Sequence, residues 1–133
     1  MTLWMLDTNT VSNAVHKRSS VLAARLLQVP ASSLCVSSVS YGETCFGLAQ
    51  RTASKALSEA ISDFFFEVAV LAWSSETAQV YGTLRAELRR TGKSLAPLDM
   101  LIAAHALEVG ATLVTSDRAF RQVPELAVED WTA

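Results

Sequence analysis

The period of the hydrophobic pattern changes several times along the chain. "TLWML" (Thr2 to Leu6) is a short apolar run of strand formers that stops at Asp7. A helical pattern begins at about Thr10. A second runs from Ser20 to Gln28, with Val21, Leu22, Ala24, Leu26 and Leu27 apolar and Pro30 closing it. "SLCVSSV" (Ser33 to Val39) predicts the second strand. Ser40 and Glu43 then stand at capping-box spacing and open a helix toward Gln50. Another helix is expected over Ser54 to Phe64, followed by a third strand in "FEVAVLAW" (Phe66 to Trp73).

A long amphipathic helix comes next, with Ser75 placed to cap its start and Gly92 its end. The helix after it is nearly all apolar, from Pro97 or Asp99 to Val109, and Gly110 stops it. "ATLVTS" predicts a fourth strand, Arg118 to Gln122 a turn or short helix, and "LAVED" a fifth, edge strand. Strands alternating with helices predict an α/β fold. One domain over residues 1–133 is expected, with a mostly parallel central sheet of four to five strands and helices on both faces.

In such a sheet, ligands bind outside the carboxyl ends of the strands. Asp7 ends the first strand and Asp117 the fourth, while Glu43 and Asp99 open helices that start from the same end. Each acid has a plain local explanation. Asp7 fits an Asx-turn with Thr8 and Asn9, and Asp117 fits a cap on the turn that follows. Asp99 fits a first-turn acid favoured by the helix dipole, and Glu43 the second half of a capping box.

Jointly the four carboxylates converge on one crevice. They repel one another unless one keeps its proton or a divalent cation enters. Mg²⁺ and Mn²⁺ prefer hard oxygen ligands and keep some waters, and they suit phosphoryl chemistry by polarising a phosphate oxygen and acidifying a water. Glu59, Asp63, Glu67, Glu129 and Asp130 lie off this line and read as surface acids.

Composition adjusts this picture. Of 133 residues, 50% are hydrophobic, enough for a core without disulfides and with some apolar surface left for a partner. A net charge of −2 excludes a wholly basic nucleic-acid binder. Local basic groups remain: Arg85, Arg89, Arg90 and Lys93 are opposed by Glu87 alone, and His16, Lys17, Arg18 and Arg25 form a looser set. A solvated face is the plain alternative for both.

Cys35 and Cys45 show no CxxC and no Cys/His ligand spacing, so two reduced, buried thiols in a cytoplasmic protein are expected. "MTLWML" lacks a basic leader and a long apolar core, so neither a signal peptide nor a membrane span is expected. His105, set between alanines, is expected to be a half-buried, satisfied histidine rather than a general base. No serine has a clear His and Asp partner, and the isolated glycines form no phosphate loop.

In order along the chain, "MLDTN", "SSVSYGE", "LAPLDMLIAAHAL" and "GATLVTSDRAF…VPEL…EDW" resemble the signature segments of the PIN-domain ribonucleases. More closely, they resemble the VapC-type toxins of bacterial toxin–antitoxin pairs. The likeness covers nearly the whole chain. It departs at "TSDRAF", where relatives often carry a longer Asn-rich turn.

The resemblance implies a PIN-like domain whose metal-binding and catalytic acids are Asp7, Glu43, Asp99 and Asp117, with Asn9 and Ser12 helping to order the site. It implies Mg²⁺- or Mn²⁺-assisted hydrolysis of RNA that leaves 5′-phosphate and 3′-hydroxyl ends, with initiator transfer RNA a candidate substrate. Arg85, Arg89 and Arg118 are candidates for holding the RNA backbone. The implied partners are a second copy of the chain and a VapB-type antitoxin, with operator DNA reached only through the antitoxin.

Two other functions fit parts of the sequence. "DTNTV" resembles the nucleophile motif of haloacid-dehalogenase-type phosphotransferases, with Asp7 as nucleophile, although that motif wants a second Asp where Asn9 stands. A non-catalytic module that occupies operator DNA with an antitoxin needs no acid cluster at all.

Overall fold

A computed structural model describes residues 1–50 and 52–133. Among the described residues the elements are β1 (Trp4–Leu6), α1 (Thr8–His16), α2 (Ser20–Leu27), β2 (Leu34–Ser37), α3 (Ser38–Gln50), α4 (Lys55–Glu67), β3 (Ala69–Leu71), α5 (Ser75–Arg90), α6 (Pro97–Val109), β4 (Thr112–Val114) and β5 (Val128–Glu129). The sheet order is β3-β2-β1-β4-β5, and every neighbouring pair is parallel. The chain moves outward from β1 to β3, then crosses to the other side of β1. The order therefore reverses between β1 and β4, and the carboxyl ends of those two strands flank the crevice that such a reversal opens.

Side-chain alternation splits the core into two layers. Met5 pairs in register with Cys35 and Leu113. These three pack with Leu84 and Leu88 of α5, Ile102 and Ala103 of α6, and Phe120. Leu6, Val36 and Val114 point the other way, against Val11 of α1, Leu22 of α2 and Trp131. Burial on both faces is why these strands read as continuous apolar runs instead of alternating ones. Helix α6 is apolar nearly all round for the same reason, since Met100 and every residue from Ile102 to Ala106 are buried. It ends where Gly110 adopts the left-handed conformation, φ 69°, that caps a helix at little cost in a glycine.

Several expectations are corrected. Helix α1 starts at Thr8 instead of Thr10, because Asp7 caps it by accepting the Thr10 N–H at 2.9 Å. Helix α3 starts at Ser38, so Ser40 is a buried helical residue and forms no capping box with Glu43. Ser37 accepts the Val39 N–H at 3.2 Å and starts that turn early. Phe66 lies in α4, not in the third strand, which is only Ala69–Leu71; Phe64 and Phe65 pack against the second core layer. The cap of α5 is Ser74, in a reciprocal capping box with Thr77, and not Ser75.

Cys35 is buried as expected, and desolvation pushes its thiol up to about 12. Cys45 is exposed, not buried. His105 is wholly buried rather than half-buried, and only half satisfied. Its Nδ1 lies 2.7 Å from Ser37 Oγ, while Nε2 has no partner. Among the described residues no carboxylate hydrogen-bonds to His105, so this buried Ser–His pair forms no hydrolytic triad. No helix among the described residues is long and apolar enough to cross a membrane.

Candidate active site

Each acid is delivered by the end of a regular element. Asp7 follows β1 and is 97% removed from solvent, being 3% exposed. Its two oxygens are positioned separately: Oδ1 accepts the Thr10 N–H at 2.9 Å and Oδ2 accepts the Thr115 hydroxyl at 2.5 Å. Thr10 in turn donates its hydroxyl to the Val114 carbonyl at 3.0 Å, which ties the first turn of α1 to the end of β4. A buried carboxylate is tolerable only with such partners.

Thr115 also accepts the Asp117 N–H at 3.0 Å, so one side chain bridges Asp7 and the loop that carries Asp117. Asp117 caps the short 3₁₀ turn at Arg118–Gln122 by accepting the Ala119 N–H at 2.9 Å, and its side chain is exposed to the crevice mouth. The local cap suspected from sequence is therefore real, and it orients the carboxylate.

Glu43 lies on α3, whose early start at Ser38 sets its helical phase. Thr8, the residue after Asp7, donates its hydroxyl to Glu43 Oε1 at 2.6 Å. Asp99 sits in the first turn of α6, after Pro97 at the helix start. Its carboxyl is held above its ordinary value by partial burial first, and then by the charges of Asp117, Asp7 and Glu43. The charges of all three other acids thus reach Asp99.

The remaining residues divide. Asn9 and Ser12 line a cavity of about 200 Å³ with Glu43, between α1, α3 and α4. The Ser12 hydroxyl lies 3.1 Å from Arg18 Nη1 and 3.4 Å from His16 Nδ1. Arg85 and Arg89 stand on the exposed side of α5 and line a different cavity with Met100, the residue after Asp99. Arg118 is exposed beside Asp117, and its charge also reaches Asp130. Glu129, read as a surface acid, accepts from the Trp131 indole at 2.9 Å and pairs with Arg25 at 3.4 Å.

Thr8, Thr10 and Thr115 were missed from sequence. The available signal was a hydroxyl residue one to three positions from an acid in both "DTNT" and "VTSD".

The donors here are carboxylate oxygens, which select hard divalent cations over zinc or copper. Asp7 and Glu43 each keep lone pairs beyond their hydroxyl and amide partners. Among the described residues, no three acids, histidines or cysteines approach closely enough for a ready-made metal cage. Mg²⁺ needs no such cage, since it keeps several waters and takes only one or two carboxylates directly.

The fold and site can be placed among known proteins. The family described as PIN domain matches residues 4–126. The chain is 31% identical over 132 residues to the tRNA(fMet)-specific endonuclease VapC of Salmonella typhimurium, covering 98% of this chain and 99% of that one. It is 33% identical, at the same coverage, to ribonuclease VapC2 of Haemophilus influenzae. The structure of VapBC2 from Rickettsia felis, bound to a DNA fragment from their promoter, superposes with a TM-score of 0.89 at 28% identity, over 98% of this chain and 99% of its counterpart. Length, sequence and fold agree with these relatives over nearly the whole chain, and the chain belongs to the PIN-domain family, among the VapC ribonucleases.

Proposed function

We propose that this chain is a toxin endoribonuclease that uses Mg²⁺ or Mn²⁺ to hydrolyse phosphodiester bonds in a structured RNA and is neutralised by a VapB-type antitoxin. The carrying observation is the convergence of three carboxylates on a fourth, Asp99, at the strand-order reversal. Asp7 and Asp99 would hold the cation, with Glu43 and Asp117 completing its water-mediated surroundings. When bound, the cation polarises a phosphate oxygen and lowers the pKa of a water. The Thr115 hydroxyl and the Thr10 amide hold the two oxygens of Asp7 separately, so the carboxylate would meet the cation without rearranging. Glu43, held through Oε1 by Thr8, keeps Oε2 to orient the attacking water and accept its proton. Attack by water leaves a 5′-phosphate and a 3′-hydroxyl.

The similarity to an endonuclease named for tRNA(fMet) makes initiator transfer RNA the first substrate to try. Partners are supported by exposed apolar side chains: Leu27, Phe46 and Phe66 are 89%, 65% and 88% exposed. They give a second copy of the chain and an antitoxin segment apolar surface to cover. Operator DNA is reached through the antitoxin, in line with the DNA-bound VapBC2 relative. The phosphotransferase alternative lacks its second acid, since Asn9 stands two residues after Asp7. The non-catalytic alternative leaves the hydrogen-bonded acid cluster without a role.

Mapping of 5′ ends in total RNA after brief expression tests the proposal. One dominant new 5′-phosphate end in one RNA, absent with Asp7→Asn, is expected. Growth arrest that persists in Asp7→Asn, with no new end, contradicts it.

A further inference from the structure

Helix α5 carries Arg85 and Arg89 one turn apart on its exposed side, and Lys93 continues the row beyond the helix end. Gly92, at φ 72°, turns the chain there, and the Lys93 N–H closes back on the Leu88 carbonyl at 2.8 Å. With Ser94, Leu95 and Met100 the three cations line a cavity of about 230 Å³ that has no carboxylate in its wall. The neighbouring acid, Glu87, is taken by Arg90 at 2.7 Å and feels Lys93 more weakly. Among the described residues, Arg85, Arg89 and Lys93 form no ion pair, in a chain whose net charge is negative.

Cations near a helix C-terminus are favoured by its dipole, which accounts for Arg89 and Arg90. Arg85 lies more than a turn earlier and is held in place by other means. Its Nη1 donates to the Tyr81 hydroxyl at 2.9 Å. Tyr81 packs edge-on to Trp73 at 6.0 Å, and the Trp73 indole donates to the Leu101 carbonyl at 3.0 Å. This chain of contacts fixes the guanidinium relative to the turn of α6 that carries Asp99. Dipole compensation needs no such positioning; recognition of an anion in a set relation to Asp99 does.

We propose that Arg85, Arg89 and Lys93, with the Ser94 hydroxyl, form a phosphate subsite that holds the RNA backbone beside the acid cluster. The subsite rests on the nuclease reading for the identity of its polyanion. It would guide the strand along the α5–α6 corner, where Met100 of the cavity wall follows Asp99 in the chain. It positions RNA without reading bases, so its contribution is sequence-independent and salt-dependent.

The test is fluorescence anisotropy of a labelled single-stranded RNA with the full chain carrying Asp7→Asn to block cleavage, across a KCl series. Adding Arg89→Gln and Lys93→Gln is expected to reduce the slope of log K against log[salt] by about 1.4, at roughly 0.7 per lost phosphate contact. Lys93→Gln alone, which alters only an exposed side chain, is expected to remove about half of that. Lys55→Gln on α4 is the charge control and should leave the slope unchanged. An unchanged slope in the double variant, or an equal fall with Lys55→Gln, overturns the subsite. RNA cleavage by the unmutated chain, assayed separately, reports on the nuclease reading, so either idea can fail alone.

Discussion

Thr8 and Glu43 are 35 positions apart, yet the Thr8 hydroxyl lies 2.6 Å from Glu43 Oε1. This bond joins the residue after the first acid to the second acid, and so sets α3 against α1 at the crevice. It holds one oxygen of Glu43, while the other has no hydrogen-bond partner among the described residues.

Replacing Thr8 by valine keeps the side-chain shape and removes that donor. Steady-state cleavage of an RNA substrate should fall by about tenfold, an ordinary loss for a misaligned proton-transfer group. Stability should fall by no more than about 1 kcal/mol, because Glu43 is not fully buried and water replaces the lost donor. A urea melt separates the two effects.

Thr115 is more deeply committed. It is 2% exposed, donates to buried Asp7 and accepts from the Asp117 amide. Thr115→Val leaves one oxygen of a buried carboxylate without its donor, at an expected cost of about 2 kcal/mol in a denaturant melt. Thr115→Ser restores the hydroxyl and should recover most of that loss. In Asp7→Asn the penalty of Thr115→Val should shrink, since the charge left unsatisfied is gone.

Much of this arrangement was legible in the sequence, and the parts that were not share a cause. Asp7, Asp99 and Asp117 could be placed because each marks the edge of an apolar element, and the end of the sheet follows from chain direction. A mostly parallel sheet of four to five strands followed from the strand–helix alternation, and the sheet has five strands, all parallel. The boundary of α3 was misplaced because "SSVSYGE" holds several competent caps, and the choice fell to Ser37, a strand residue. Phe66 was assigned to a strand because a short apolar run does not reveal its own period. Cys45 was expected inside because its helix reads apolar, but α3 turns Tyr41, Cys45 and Phe46 outward. The threonines escaped notice because their partners lie far along the chain, 35 positions for Thr8 and 108 for Thr115.

Asp99 gives a pH signature. Its carboxyl is raised above the ordinary 3.8 by burial and by three like charges. A carboxyl whose folded value is raised contributes stability that is fully present below its unfolded value and lost as pH rises through the folded one. In chelator, the melting temperature should therefore carry a component that declines with rising pH above the ordinary Asp range. Asp99→Asn should abolish that component and be the more stable protein at neutral pH. Melting curves across pH for both proteins, at one ionic strength, check this.

The claim on which the rest depends is that the converging acids hold a divalent cation, and calorimetric titration of Mn²⁺ into the purified chain at neutral pH addresses it most directly. Saturable binding by the native chain, competed by Mg²⁺ and weakened by about tenfold or more in Asp99→Asn, is expected for a site built from few direct carboxylate ligands. No binding by the native chain, or equal binding by Asp99→Asn, contradicts the account.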